Sequence, residues 1–230
     1  MSNQRAAKRP IRSLLATAVL AATAAAATPA FAAGPYSQTV FFGDSLTDAG
    51  FFRPLLPLTV RPVTGQFTTN PGQVWAQYLA DFYGTRADAN GNGQTGTNYA
   101  AGGARVGVNS TGALGPIPSL ATQVNTYLTA NGGRADSRAL YTVWGGANDL
   151  FAITNAGADP TVVIPAAVTA QIGLVGQLQN AGARYILVPT IPDLGASPAF
   201  RAQGPAAQAA GTQLTVTYNN ALFGGLATAG

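Results

Sequence analysis

The chain of 230 residues contains no cysteine, no histidine and no glutamate. Without cysteine there are no disulfides and no thiolate metal sites. Without histidine the commonest metal ligand and the commonest general base are both missing. Without glutamate, eight Asp supply every side-chain carboxylate. Charge is scarce too, at 9% of residues against 47% apolar. A chain so apolar is not an extended disordered one. Its length suits one domain with a substantial core.

What is present begins with a leader. Arg5, Lys8, Arg9 and Arg12 precede an apolar run from Leu14 to Ala27, and the small-x-small site Ala30-Phe31-Ala32 follows. That order reads as a secretory signal peptide over 1–32, leaving 33–230 as the working domain. The apolar run falls short of the roughly 20 residues that span a bilayer, which argues against an anchor. The leader holds four of the twelve basic residues and no acid, so the remaining eight Arg balance eight Asp. Those arginines are scattered singly, and no nucleic-acid footprint is expected. Residues 33–230 are read as having no transmembrane helix.

From Gln38 onward, short apolar runs alternate with longer amphipathic stretches. Gln38–Gly43, Ala139–Trp144 and Arg184–Pro189 read as strands. Pro71–Tyr83 reads as a helix whose apolar face is Val74, Trp75, Tyr78, Leu79 and Phe82. Ser119–Ala130, Thr161–Asn180 and Gln203 to about Gly224 read as further helices, with Gly182 suited to the end of the third. Residues 51–70 and 88–97 read as loops. Near-continuous apolar strands alternating with helices predict an α/β fold with a parallel sheet covered on both faces. In such sheets ligands bind at the carboxyl ends of the strands.

Three features sit at or near those ends. Gly43-Asp44-Ser45-Leu46-Thr47-Asp48-Ala49-Gly50 would leave the Ser45 hydroxyl at the rim, or else form an ordinary capped turn. Asn98-Tyr99-Ala100-Ala101-Gly102-Gly103-Ala104 places tandem glycines where a backbone N–H can be left free, although glycine pairs are often only turns. Gly145-Gly146-Ala147-Asn148-Asp149 offers the Asn148 amide to developing negative charge, or an Asx turn.

Together, and in this order, these blocks strongly resemble the GDSL/SGNH family of serine esterases and lipases, in its exported bacterial branch. The likeness extends through residues 65–80 and 184–199 and so covers most of the chain from about residue 38. It implies a flavodoxin-like three-layer fold with Ser45 as nucleophile. The oxyanion hole would comprise the Ser45 and Gly103 N–H groups and the Asn148 side-chain amide. The implied reaction is hydrolysis of lipid or short acyl esters through an acyl-enzyme, with no cofactor and no metal. The expected partner is a small-molecule or lipid ester. The expected location is the periplasm, the outer-membrane surface or the exterior, with a C-terminal autotransporter barrel allowed in a full-length form. No G-x-S-x-G elbow surrounds Ser45, so an ordinary α/β-hydrolase is not indicated.

One departure stands out. The family's last block is Asp-x-x-His, which supplies the general base and its orienting carboxylate, and this chain has no His. The expectation is a C-terminally truncated copy lacking the final strand and that block, and inactive alone, rather than a variant with another base. Asp44, Asp48 and Asp193 read as structural, and an Asp near its reference pKa of about 4 is a poor base for a hydroxyl. The alternative is a non-catalytic acyl- or carbohydrate-binding pseudo-hydrolase. A nucleotide site is not supported, since neither G-x-G-x-x-G nor a GK[ST] loop lies at a strand–helix junction. The loops at 53–62 and 88–97 are expected to border the substrate pocket.

Overall fold

The computed structural model describes residues 34–67 and 72–229; the proposed signal peptide at 1–32, Pro71 and Gly230 lie outside them. Strand β1 (Thr39–Gly43) leads to α1 (Trp75–Phe82) and two small ribbons, β2–β3 (Asn90–Gly91 and Gln94–Thr95) and β4–β5 (Ser110–Gly112 and Gly115–Ile117). Then come α2 (Leu120–Ala130), β6 (Leu140–Trp144), α3 (Ala147–Ala156), α4 (Pro160–Asn180), β7 (Tyr185–Leu187), α5 (Pro198–Arg201) and α6 (Pro205–Ala229).

The main sheet runs β1-β6-β7, all parallel. Residues 39–43 of β1 pair in register with 140–144 of β6. On the other side of β1 an extended segment lies parallel to it. There Asn98 bridges Phe41, the Tyr99 N–H donates to the Phe41 carbonyl (2.8 Å), and the Ala101 N–H donates to the Gly43 carbonyl (3.1 Å).

Alternation along β1 divides its side chains between two cores. Val40 and Phe42 join α2, α4 and α6 in a large cluster that includes Val124, Leu178 and Tyr218. Phe41 joins Ala76 and Ala80 of α1 in a smaller one. Helices therefore cover both faces, giving the three-layer α/β architecture with a parallel sheet that the strand pattern predicts.

Several elements differ in detail. Helix α1 starts at Trp75 and buries Ala76 and Ala80, while Tyr78 and Phe82 are exposed; the small residues face the sheet because they permit close approach. Strand β7 is only three residues long, with Tyr185 and Leu187 exposed, since β6 is its single neighbour among the described residues. Within 88–97, Asn92 and Gly93 both have positive φ (50° and 85°), the geometry of a tight hairpin turn, so this loop carries the β2–β3 ribbon.

Helix α4 keeps Pro165 in its interior and is capped by Asp159, whose side chain accepts from the Thr161 N–H. It is long and apolar enough to cross a membrane by length and composition. Here it packs on the sheet, with the buried Gln171 donating to the Val143 carbonyl (3.1 Å).

Candidate active site

The register of the sheet brings three distant blocks to one rim. Gly43 pairs with Trp144 at the last position of β1 and β6, and Ala101 is bonded to Gly43 from the other side. The chain therefore leaves three neighbouring rails at one level, into the Asp44–Gly50 turn, the Gly102-Gly103 turn and the start of α3. Ser45, Gly103 and Asn148 are the residues that follow.

Each of the three presents an uncommitted group. The carbonyl of Asp44 accepts the N–H groups of Thr47 and Asp48 (both 3.0 Å), and its side chain accepts that of Leu46 (3.0 Å). This turn leaves the half-buried Ser45 with neither its N–H nor its hydroxyl hydrogen-bonded among the described residues. Gly103 has φ +83°, a conformation that suits glycine, and its N–H is likewise unpaired while those of Gly102 and Ala104 are engaged.

Asn148 lies in the first turn of α3, behind Gly146 at the N-cap (φ +108°), so it is neither the cap nor an Asx turn. Its Nδ2 donates one hydrogen to the Ala104 carbonyl (2.9 Å), which orients the amide and leaves the second N–H available. Two backbone donors and one amide donor are the kind of set that stabilises an oxyanion. Ile117 and Phe67 line this turn: Ile117 Cδ1 lies 3.1 Å from where a Cβ on Gly103 would sit, and the Phe67 ring covers Gly102.

Buried polar side chains hold the blocks together. Asp48 accepts the N–H groups of Gly50 (2.7 Å) and Phe51 (2.6 Å), and from the next block that of Gly102 (2.8 Å). Asn98 donates to the Thr47 carbonyl (2.7 Å). Asp149 accepts the Val106 N–H (3.0 Å) and the Arg105 Nε (3.0 Å), which ties the third block to the second. Gln123 on α2 grips the end of β1, accepting from the Gly43 N–H and donating to its carbonyl (both 2.9 Å). Tyr218 on α6 donates to Gln171 (2.6 Å), and its ring fills the space where Gly146 would otherwise carry a side chain.

Asp149 stands next to Asn148 in the third block, but Gln123, Gln171 and Tyr218 belong to no motif and their only sequence signal is helical spacing. Asp193 is structural, accepting from the Gly195 N–H (2.9 Å) and the Thr212 hydroxyl (2.8 Å). Among the described residues, no three metal-ligating side chains of the His, Cys, Asp or Glu type converge.

Burial raises all three carboxylates here. Asp44 is pushed up to about 6, first by desolvation and further by the charges of Asp149 and Asp48. Asp48 is raised by burial against its three backbone bonds, and Asp149 is raised despite Arg105. Asp44 therefore departs from the reference value expected of it. It still makes no hydrogen bond to the Ser45 hydroxyl, and its carboxylate is enclosed.

An Asp with a raised folded-state pKa binds its proton more tightly folded than unfolded. Stability on its account is fully present below about pH 4 and is lost as pH rises through about 6. Asp44→Asn keeps an acceptor for the Leu46 N–H and removes the buried charge. We expect it to flatten that fall and to raise unfolding free energy near neutral pH by up to about 3 kcal/mol. Urea unfolding of both proteins from pH 4 to 8 checks this; parallel curves would refute it.

Comparison with known proteins follows the same blocks. The family model for GDSL-like lipase/acylhydrolase matches residues 39–222. Lipase 1 of Photorhabdus luminescens is 32% identical over 168 residues, covering 71% of this chain and 23% of that protein. Esterase EstA of Pseudomonas aeruginosa is 31% identical over 254 aligned positions, covering 96% of this chain and 38% of that protein. An uncharacterized protein of Pseudomonas putida, from the trpE-trpG intergenic region, is 35% identical over 231 positions, covering 89% of this chain and 36% of that protein. The chain thus spans well under half the length of these relatives. The matched span takes in β1, β6 and all three blocks at the rim of the sheet, and on that ground the chain belongs to the GDSL-like lipase/acylhydrolase family.

Proposed function

We propose that this chain carries the acyl-transfer machinery of a carboxylic ester hydrolase, with Ser45 as nucleophile. The observation that carries the reading is the group of unpaired donors at the rim: the Ser45 N–H, the Gly103 N–H and the free hydrogen of the Asn148 amide. Ser45 Oγ attacks the ester carbonyl, its proton passes to a base, and the carbonyl oxygen gains negative charge facing these donors. Collapse expels the alcohol, which takes up a proton, and water then releases the acid. The lipase and esterase names of the relatives support an ester as substrate.

The step that needs a base is the weak one, because the 230 residues contain no His. In another serine hydrolase, loss of the triad His alone lowers turnover by roughly six orders of magnitude. This chain by itself is expected to hydrolyse p-nitrophenyl butyrate barely above buffer. We extend the proposal to export of the part from Ala33 onward, on the strength of the basic leader and the Ala30-Phe31-Ala32 site.

The test supplies the missing base from solution. With added imidazole, release of p-nitrophenol by the chain should exceed that of Ser45→Ala at every imidazole concentration. Asn148→Ala should lower the difference by about a hundredfold, the scale for one oxyanion donor. Equal rates for the chain and Ser45→Ala would sink the reading.

A further inference from the structure

Six large apolar side chains between residues 46 and 67 are exposed: Leu46, Leu55, Leu58, Val60, Val63 and Phe67. Leu58 is 75% exposed and Val63 63%. Charge on this stretch has one sign. Arg53 and Arg61 lie in it, and no acidic residue occurs between Asp48 and Asp81. Exposed apolar residues scattered singly need no explanation, but a cluster on one loop marks a contact surface.

The loop is held in shape from within. Arg61 donates through Nε to the Leu56 carbonyl (2.7 Å) and through a terminal nitrogen to that of Pro54 (2.6 Å), closing residues 54–61 on themselves. Pro54, Pro57 and Pro62 stiffen it further. Both ends are tied to the turn that presents Ser45. The Arg53 N–H donates to the Gly50 carbonyl (3.0 Å), and Gln66 Nε2 donates to that of Ala49 (3.0 Å). Leu46 follows Ser45 directly, and the Phe67 ring covers Gly102, next to Gly103. The apolar loop is thus fastened to two of the three blocks at the rim. Neither arginine is ion-paired among the described residues, and Arg61 bonds only neutral carbonyls there.

We propose that residues 51–67, with Leu46, dock the protein on a lipid surface carrying anionic headgroups. The apolar side chains enter the boundary between headgroups and acyl chains, and the two arginines meet the headgroup charge. A loop already fixed by Arg61 loses little conformational freedom on docking. A second copy of the chain is the poorer occupant. A twofold contact would set the two loops face to face, arginine against arginine, with no acid from either loop. Docking brings the rim against the lipid but makes no use of the Ser45 hydroxyl, so it goes beyond the ester reading and stands without it.

The chain has no cysteine, so Leu58→Cys takes a single environment-sensitive fluorophore. Ala130→Cys is the control: it is exposed at the end of α2, which leads into the start of β6, away from the rim. Vesicles of phosphatidylglycerol and phosphatidylcholine in equal parts should blue-shift the Leu58→Cys label and leave the Ala130→Cys label unchanged. Val63→Asp, added to labelled Leu58→Cys, should weaken binding by about tenfold or more, the scale for one buried apolar side chain. Arg53→Gln should weaken it by about fivefold, and vesicles of phosphatidylcholine alone should bind more weakly than the mixture. Equal affinity for the two kinds of vesicle would overturn the proposal. The basic leader is common to every variant, so binding driven by it alone would ignore Val63→Asp, which would also overturn the proposal. So would a label that shifts with protein concentration in the absence of lipid, because a second copy would then cover the patch. Ser45→Ala should dock as the parent does, so failure of docking and failure of the ester reading are read separately.

Discussion

Asp48→Ala is expected to lower the free energy of unfolding by about 3–5 kcal/mol, because it leaves the N–H groups of Gly50, Phe51 and Gly102 without their acceptor. Asp48 is itself buried, and its raised pKa shows that holding the charge there is unfavourable. The bonds it accepts offset only part of that, but stripping them away costs more, since each orphaned buried donor costs about 1–3 kcal/mol. Asp48→Asn separates charge from geometry. Its oxygen can still serve Gly50 and Phe51, but its NH₂ would face the Gly102 N–H, donor against donor. Asp48→Asn should therefore fall between the parent and Asp48→Ala in denaturant unfolding. Equal stability of Asp48→Ala and the parent would show that Asp48 is not the clasp between the first two blocks. Gly103 follows Gly102 directly, so the same substitutions should also reduce imidazole-dependent turnover, by displacing the oxyanion donor we propose there rather than removing it.

Gln123→Ala is expected to cost about 3–4 kcal/mol. Gln123 is 2% exposed and makes the paired bonds to the N–H and carbonyl of Gly43, together with one to the Pro118 carbonyl (3.1 Å). Truncation leaves the Gly43 N–H unpaired and opens a void between α2 and β1, and the two penalties add. The Gly43 carbonyl keeps the Ala101 N–H, so the loss is concentrated on the donor side. Gln123→Leu fills most of the void without restoring the bonds. The difference between the Leu and Ala variants in thermal unfolding measures the packing share, and a Leu variant as stable as the parent would show that the hydrogen bonds contribute nothing.

Much of this was legible in the chain because the strands are buried on both faces. A run such as Thr39 to Gly43 has no other stable setting, and glycines or short polar residues mark where it stops. The α/β class and the rim location of Ser45 follow from that pattern. The clasps were less legible, since they depend on which residue meets which across distances of forty or more positions. Asp48, for example, looks like any turn aspartate until Gly102 is seen to share it. The raised pKa of Asp44 is hidden in the sequence for the same reason. Its neighbours in sequence give no hint that Asp149 and Asp48 lie close enough to add their charges. Helix α1 shows another limit. Its large residues define an apolar stripe, of which Val74, Trp75 and Leu79 do reach the Phe41 cluster, but the tight contact there also selects Ala76 and Ala80 and leaves Tyr78 and Phe82 exposed.

The pairing of Thr39 with Leu140 has a kinetic side. Parallel strands so far apart in sequence meet only after a long loop is closed, and such contacts form late and slowly in folding. The rail of Asn148 joins those of Ser45 and Gly103 only through that closure. No contiguous stretch of this chain can hold even a crude version of the site. Any opening that parts β1 from β6 dissolves the constellation at once, so its appearance during refolding should coincide with completion of the sheet.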